Sequence, residues 1–398
     1  MTTTNIAEAL TAITGPEHVR QQEDPLTVSP ANTQQISEVL RYANENHLTV
    51  SPVGGGTKQS WGGPAKTHIR LELTRLKRVI EHPWQDLTCT VQAGCTWQHL
   101  QESLKQHGQF VALDPLWPER ATVGGILATN DSGALRHRYG GLRDLVIGMT
   151  LVLADGTIAR SGGKVVKNVA GYDLCKLLTG SLGTLAIITE ATFRLHPLPQ
   201  HTRTFSVTAP QAAQLAPLMQ SIRASQLLTQ ALQLRGDTNG FHLDIQLNAH
   251  PEAKQDEILA EMTVSQGLVL TFAQDDVWDA RESLFSDQQA FVIKIGMLPT
   301  DVAAISEDVV RVGGTVVAQS LGVIYAAFPN ITRDYSPLGS LYAYTDTGSM
   351  TVLQTPSNPH DDPTPPWGPD KPNPVMQAVK HQFDPNRTLN PGSLLGGI

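Results

Sequence analysis

Hydrophobic positions in residues 26–53 change period twice and predict a strand, a helix and a second strand. Residues 26–29 and 48–53 are short and mostly apolar, as buried strands are. Between them, apolar side chains recur at helical spacing, at Ile36, Val39, Leu40 and Ala43. Asn32, with Gln35 three positions later, is typical of a helix N-cap. The pattern therefore predicts a β-α-β unit, which runs directly into the glycine-rich sequence PVGGGTK.

Further short elements follow as far as Gly162. Alternation predicts strands at 69–73 and 88–92, and Trp97, Leu100 and Leu104 predict a helix that begins near Thr96 and stops at Gly108. Residues 118–133 form a second glycine-rich passage with an apolar centre. Asp155-Gly156 lies between apolar runs and predicts a tight hairpin turn.

Residues 162–195 contain glycines more often than helix or strand interiors tolerate. Apolar residues at Leu174, Leu177 and Leu178 predict a short amphipathic helix that ends before Gly180. After Gly183 the period changes to two, with buried positions expected at Ala191, Phe193 and Leu195. A helix packed on a sheet without a ligand also fits this passage taken alone.

Prolines and composition divide the chain into four parts. Residues 1–200 hold the glycine-rich passages, and residues 201–355 alternate helix-like runs such as 210–224 with strand-like runs such as 241–247 and 291–295. Val309–Phe328 is apolar but interrupted by Arg311, two glycines and Gln319, which predicts paired strands. Residues 356–374 are too rich in proline for helix or sheet and predict an extended linker, and residues 375–398 predict a short helix and a compact turn.

Composition narrows the functional classes. The chain length of 398 residues exceeds the usual length of a domain with a single hydrophobic core, so two domains are expected. The formal net charge of −8 argues against a nucleic-acid partner. The three cysteines, Cys89, Cys95 and Cys175, form no CxxC pair or metal-ligand spacing, so we expect reduced, buried thiols, no metal and no iron–sulfur cluster.

Neither the N-terminal segment nor the longest apolar run predicts insertion into a membrane. Residues 1–15 lack the basic start and apolar core of a signal peptide, and no uninterrupted apolar run reaches the roughly 18 residues of a membrane span. We expect a cytoplasmic protein without a transmembrane segment, either free or peripheral to the inner membrane through its partners.

Three glycine-rich loops, at 54–56, 124–125 and 162–163, are expected to present backbone N–H groups to an anion such as a pyrophosphate. The first loop lacks the Gly-Lys-Ser/Thr ending of a Walker A loop. Trp61 to Pro64 also prevents the helix that a Walker or Rossmann site requires. The first loop is therefore expected to bind phosphate through its backbone alone.

These motifs, in this order, resemble a known family. PVGGGTK, ATVGGILATNDSG, GGKVVKNVAGYDLCKLLTGSLGTLAIITEATFRL and FDPNRTLNPG together are similar to the FAD-binding domain of the vanillyl-alcohol oxidase / p-cresol methylhydroxylase (PCMH) superfamily. The resemblance covers residues 20–200 and the last 25 or so, and GGxVxKNVAGYDL narrows it to FAD-binding subunits of glycolate oxidase, the GlcE type.

The resemblance implies an α+β fold. A PCMH-type FAD-binding domain of two α+β subdomains would carry an inserted α+β cap domain, and the C-terminal tail would return to the FAD domain. Cofactor-binding residues carried over by motif are Pro52, Gly54, Gly55, Gly56, Thr57, Lys58, Thr122, Gly124, Gly125, Asn130, Ser132, Gly133, Ile187 and Ile188. Lys164 and Lys167 would add positive charge near the flavin, although a solvated strand edge explains them equally well.

Covalent relatives often place a histidine where this chain has Thr57. The resemblance therefore implies FAD held non-covalently.

Catalytic residues are not identified by the sequence. A hydroxy-acid dehydrogenase needs a base for the hydroxyl proton and a cation for the carboxylate. The histidine motifs GDGNLH and EHGxG of related catalytic chains are absent, and His242 and His250 lie in a strand-like run without acidic or glycine context.

Two functions follow from this combination. The first is a FAD-bearing subunit of a glycolate oxidase complex that oxidises glycolate to glyoxylate, beside a catalytic flavoprotein subunit and an iron–sulfur subunit. The second is a self-sufficient FAD-linked oxidoreductase of another 2-hydroxy acid or alcohol. The sequence leaves open glycolate against D-lactate, the electron acceptor and the stoichiometry.

Overall fold

A computed structural model describes residues 3–21, 25–63, 65–163, 172–248, 254–329, 331, 339–342, 344, 347–356, 373–394 and 397–398. Its helices are α1 Thr3–Thr14, α2 Thr33–Glu45, α3 Trp97–Lys105, α4 Val123–Thr129, α5 Arg136–Tyr139, α6 Leu142–Leu145, α7 Leu174–Leu178, α8 Ala212–Ala224, α9 Gln255–Val264, α10 Ala280–Ser283, α11 Val302–Arg311, α12 Gly339–Tyr342 and α13 Pro374–Phe383.

The strands come from both halves of the chain. They are β1 Val19–Arg20, β2 Leu26–Val28, β3 Val50–Val53, β4 Ile69–Glu72, β5 Val79–Glu81, β6 Thr88–Gln92, β7 Gln109–Phe110, β8 Val146–Val152, β9 Ile158–Gly162, β10 Ile187–Arg194, β11 His196–Pro197, β12 Thr202–Ala209, β13 Thr229–Asp237, β14 Gly240–Asn248, β15 Leu270–Phe272, β16 Phe291–Gly296, β17 Thr315–Gln319, β18 Val323–Phe328 and β19 Ser349–Gln354.

The chain divides into two compact units. The first contains Met1–Asp131, Gly141–Leu198 and Asp370–Ile398, and the second contains Ser132–Gly140 and Pro199–Pro369. The sequence-based boundary at residue 200 lies beside the structural one, but the short segment Ser132–Gly140 groups with the second unit. The reason is local, because α5 packs on β13 and the Tyr139 hydroxyl donates to Gln230 Oε1 at 2.5 Å.

The first unit has two main sheets, each with its own apolar core. Strands β1-β2-β4-β3 form one sheet, in which β4 runs parallel to both β2 and β3. Strands β5-β6-β10-β8-β9 form an antiparallel sheet. One core joins α1 and α2 to the first sheet, and the other joins α3 and α4 to the second. The two α+β layers match the fold implied by the sequence.

The second unit is built on an eight-stranded sheet in the order β15-β12-β14-β13-β17-β18-β16-β19. All of its pairings are antiparallel. Helices α8, α9 and α11 contribute Leu215, Leu259 and Ile305 to a single core with the sheet. The described residues therefore form an α+β unit, as the alternation after residue 200 predicts.

Most predicted elements are confirmed, and the differences have physical reasons. The Asn32 side chain accepts from the Gln35 N–H at 2.9 Å, and the Gly156 turn joins β8 to β9. In α7, Leu177 is exposed and Cys175 occupies the buried position instead. Val309 to Arg311 belong to α11, so the paired strands begin only at Thr315.

Candidate functional site

The first glycine loop follows β3 without a break. A Cβ atom on Gly55 would overlap the carbonyl oxygen of Arg120, and one on Gly54 would overlap Thr122 Oγ1. These glycines therefore allow the loop to pack directly on residues 120–122. The backbone N–H groups of residues 54–57 donate no hydrogen bond to any described residue, so they are available to an anion.

The centre of the second glycine-rich passage is a helix, α4, rather than a loop. Thr122 is the N-cap of α4 but its side chain makes no capping bond. The N–H groups of Val123 and Gly124 donate to Cys95 O at 2.9 Å and Ala93 O at 2.7 Å. Gly124 is needed because a Cβ there would press on Ala93. The Gly124 amide is therefore used within the protein and does not serve an anion, contrary to the expectation for that residue of loop 124–125.

Thr122 nevertheless offers a polar group. Its Oγ1 is buried and has no hydrogen-bond partner among the described residues. A buried hydroxyl without a partner costs on the order of 1–3 kcal/mol, so a ligand that bonds to it recovers that free energy.

The first glycine loop and the passage around Thr122 form two walls of one cavity, and residues 180–188 form the third. The Gly180 N–H donates to Leu127 O at 2.9 Å and the Leu182 N–H to Ala128 O at 2.8 Å, which ties this turn to the end of α4. Gly183 has a φ of +68° and lies against the Pro52 ring. The chain then enters β10 at Ile187.

The C-terminal tail forms the fourth wall. Leu389 bridges to Val50 in parallel, and the Asn390 side chain donates to Leu182 O at 2.8 Å. The Gly63 N–H donates to the Ser393 carbonyl oxygen at 3.2 Å. The tail thereby connects β3, the region after the first loop and the turn at 180–183.

A buried ion pair holds that tail. Lys380 Nζ lies 2.6 Å from Asp384 Oδ2 and donates to the carbonyl oxygens of Thr184 and Leu389 at 2.8 and 2.9 Å. Both side chains are at most 4% exposed. Burial lowers the pKa of Lys380, and the nearby Asp384 carboxylate partly opposes that effect.

Together the four walls line a cavity of about 310 Å³. The predicted residues that line it are Pro52, Gly54, Gly55, Gly56, Thr57, Lys58, Thr122, Gly124, Gly125, Ile187 and Ile188. Sequence reasoning missed Asn390 and Ser393, although the motif that contains Asn390 was noted. The described lining residues include no histidine or cysteine.

Three predicted residues do not line the cavity. Asn130 is the left-handed C-cap of α4 with a φ of 49°. Ser132 and Gly133 belong to the second unit, where the Ser132 carbonyl oxygen accepts from Arg281 and Gln319. Lys164, Lys167 and His250 lie outside the described residues.

The second unit carries a cationic cluster, part of it buried, that the sequence did not reveal. The Arg281 guanidinium lies 5.2 Å from the ring centre of Tyr325, and the Lys294 ammonium lies 5.8 Å from it. Arg281 is 6% exposed and Tyr325 is fully buried. Two cations beside one ring are the type of group that can hold a carboxylate.

Two described histidines of the second unit have ordinary structural partners. His242 lies on β14, where its Nδ1 is 3.1 Å from Thr208 Oγ1. His137 Nδ1 is 2.9 Å from Ser320 Oγ, and burial together with Arg223 and Arg138 lowers the pKa of His137 to about 4. The neutral imidazole is thus the form present near pH 7.

Comparison with known proteins finds relatives of the first unit. Residues 25–162 match the family model described as FAD binding domain. The chain is 32% identical over 251 residues to glycolate oxidase subunit GlcD of Bacillus subtilis, a match that covers 58% of this chain and 53% of that protein. It is 37% identical over 178 residues to the mitochondrial D-lactate dehydrogenase [cytochrome] of Arabidopsis thaliana, covering 44% and 31% respectively.

The fold has solved counterparts. The structure of p-cresol methylhydroxylase with substrate bound superposes with a TM-score of 0.72 at 13% identity, over 98% of this chain and 96% of that one. The chain thus contains an FAD-binding domain within a PCMH-type fold, as the motifs implied. The matched stretch spans about half or less of the curated relatives' length.

The cavity residues suit FAD. Free amides at 54–57 would be donors for a diphosphate, and the orphaned Thr122 hydroxyl would supply one more polar contact.

The part of the chain that the structure describes contains no helix with the length and apolar character of a membrane span. The same residues contain no group of three or more His, Cys, Asp or Glu side chains placed to hold a metal ion.

Proposed function

We propose that this chain is a FAD-dependent oxidoreductase component acting on 2-hydroxy acids, and that it serves as the FAD-bearing subunit of a glycolate-oxidising complex. The observation that carries the proposal is the cavity of the first unit, where free backbone amides and an orphaned hydroxyl face one space. The similarity to a glycolate oxidase subunit and to a D-lactate dehydrogenase supports the substrate class.

Each part of the chain has a defined task in this proposal. FAD, when bound, supplies a two-electron acceptor. The amides of residues 54–57 hold its diphosphate, and the walls at 180–188 and 390–393 exclude water from it. The proposal includes non-covalent attachment of FAD, which is supported by a lining whose described residues include no histidine or cysteine.

The partners belong to the proposal as well. A catalytic flavoprotein subunit and an iron–sulfur subunit would complete the complex, in the cytoplasm or peripheral to the inner membrane. They are invoked because the sequence supplies no recognisable catalytic base and only three scattered, buried cysteines.

A self-sufficient oxidoreductase is the second candidate, and the cluster of Arg281, Lys294 and Tyr325 favours it. A buried guanidinium is suited to bind a substrate carboxylate, which a purely cofactor-carrying subunit does not need.

Mixing the purified chain with glycolate, and separately with D-lactate, distinguishes the two candidates. We expect the flavin absorbance at about 450 nm to persist with either acid when partner subunits are absent. Rapid bleaching by one of them would refute the partner-subunit role and identify the substrate of a self-sufficient enzyme.

After acid precipitation the yellow colour is expected in the supernatant, whereas a yellow pellet would show covalent attachment.

Substituting Gly55 tests the cofactor assignment. Gly55→Val places side-chain atoms where the Arg120 carbonyl lies, so the loop must move and we expect the purified protein to lose most of its flavin. Gly339→Ala is the control, because a Cβ there meets nothing within 4 Å and the residue lies in α12 of the second unit. Equal flavin content in the two variants, measured from absorbance against protein concentration, would contradict the site.

A further inference from the structure

The ammonium group of Lys58 is enclosed by protein, although its residue ends the phosphate-binding loop. Lys58 Nζ lies 3.3 Å from Asp131 Oδ2 and donates to the Leu116 carbonyl oxygen at 3.1 Å. The Lys58 and Asp131 side chains are 4% and 0% exposed. The Asp131 carboxylate also accepts from the Leu116 N–H at 2.8 Å.

Two indole rings complete the enclosure. The ammonium lies 5.1 Å from the ring centre of Trp117 and 5.7 Å from that of Trp61. Trp61 is 5% exposed. Carboxylate, carbonyl and aromatic faces are all favourable neighbours of a cation, so this environment already compensates the charge of Lys58.

The ion pair joins two segments whose relative position determines the shape of the cavity. Residues 54–57 precede Lys58, and residues 116–131 contain Arg120 and Thr122, on which Gly55 and Gly54 pack. A shift of the loop away from that segment would misdirect its free amides. Breaking a buried pair by removing one partner is costly because the other charge stays buried, whereas removing both charges is often nearly neutral.

We propose that Lys58 is a positioning residue, which through Asp131 fixes the amides of residues 54–57 for the cofactor diphosphate and does not contact that diphosphate. This inference rests on the proposed FAD site and reverses the role that the motif resemblance implied for Lys58.

A double-mutant cycle tests the inference. The wild type, Lys58→Met, Asp131→Asn and the double variant are stripped of flavin, and the Kd for FAD is measured with the melting temperature of each apo protein. Lys105→Met, a change at an exposed lysine of α3, is the control. Asp131→Asn keeps an oxygen that accepts from the Leu116 N–H, which favours a folded variant.

We expect each single variant to bind FAD at least about tenfold more weakly, and the double variant to recover most of that loss. The control should stay within about twofold of the wild type. If Asp131→Asn leaves FAD binding unchanged or tighter and the double variant matches Lys58→Met, then Lys58 contacts the diphosphate and the inference is wrong. A wild-type chain that binds no FAD would instead refute the proposed function.

Two further readouts separate positioning from the other roles. The slope of log Kd for FAD against log salt concentration should be the same in wild type and Lys58→Met, since no Lys58–phosphate ion pair is lost. A shallower slope in the variant would overturn the inference. Riboflavin, which lacks the diphosphate, should bind the variant and the wild type alike, and an equal loss of riboflavin and FAD would show that Lys58 only supports the fold.

Discussion

Single residues in this protein owe their environment to segments that are far apart in the sequence. Position 55 must be glycine because a Cβ there would overlap the carbonyl oxygen of Arg120, and the charge of Lys58 is balanced by the Asp131 carboxylate. The motif predicts that both residues belong to a cofactor site. It does not show that the glycine is needed because protein backbone lies against it, nor that the lysine side chain is buried.

His137 provides a prediction at this scale. Its pKa is lowered to about 4 in the folded chain, mainly by burial, from an ordinary value of 6.5. Between these values the unfolded chain binds the proton more readily, so stability is highest above about pH 6.5 and falls as the pH drops towards about 4. Allowing for partial exposure of the ring, we expect His137→Gln to remove about 1–2 kcal/mol of that pH dependence.

Urea unfolding of wild type and His137→Gln at several pH values across this window measures the effect. His99→Gln, at an exposed position of α3, serves as the control. A pH dependence that is identical in all three proteins would show that His137 is not the group responsible.

At the scale of elements, the first unit depends on connections between short pieces more than on long helices or strands. The tail after α13 adds a bridge beside β3 and bonds to the turn at 180–183. Its position is fixed by the buried Lys380–Asp384 pair. The Asp384 carboxylate also accepts hydrogen bonds from the N–H groups of Thr388 and Leu389. Without that pair the fourth wall of the cavity would have few anchors.

Asp384→Asn should therefore destabilise the protein by about 3 kcal/mol, because Lys380 remains buried without its counter-charge. A matched control is Asp173→Asn, which breaks a pair with Lys176 whose side chains are 53% and 58% exposed. That change should cost less than about 1 kcal/mol. Denaturant unfolding compares the two, and a similar small loss in both variants would mean that the buried pair does not anchor the tail.

At the scale of the whole molecule, a FAD-binding domain is combined with a second α+β unit that carries its own core. The matched stretch spans about half or less of the length of the curated relatives.

Intact protein stripped of flavin should melt at a higher temperature as free FAD is added, because the ligand binds only the folded state. At a free concentration of about 1,000 times Kd the gain is about 4 kcal/mol. Differential scanning fluorimetry with FAD and with riboflavin measures it, and we expect the larger shift with FAD. An absent shift at saturating FAD would argue against the cavity as a cofactor site.

The sequence by itself predicted several elements of the first unit, because periodicity and caps are local properties, and the resemblance of its glycine-rich motifs to a known family implied FAD. Asn32 and Gln35, the turn at Gly156 and the strand through Ala191 and Phe193 were all predictable for that reason. The structure alone decided the partners of Lys58, the orphaned hydroxyl of Thr122 and the wall formed by Asn390, and it grouped Ser132 with the second unit. These depend on contacts between residues tens to hundreds of positions apart, which no local pattern records.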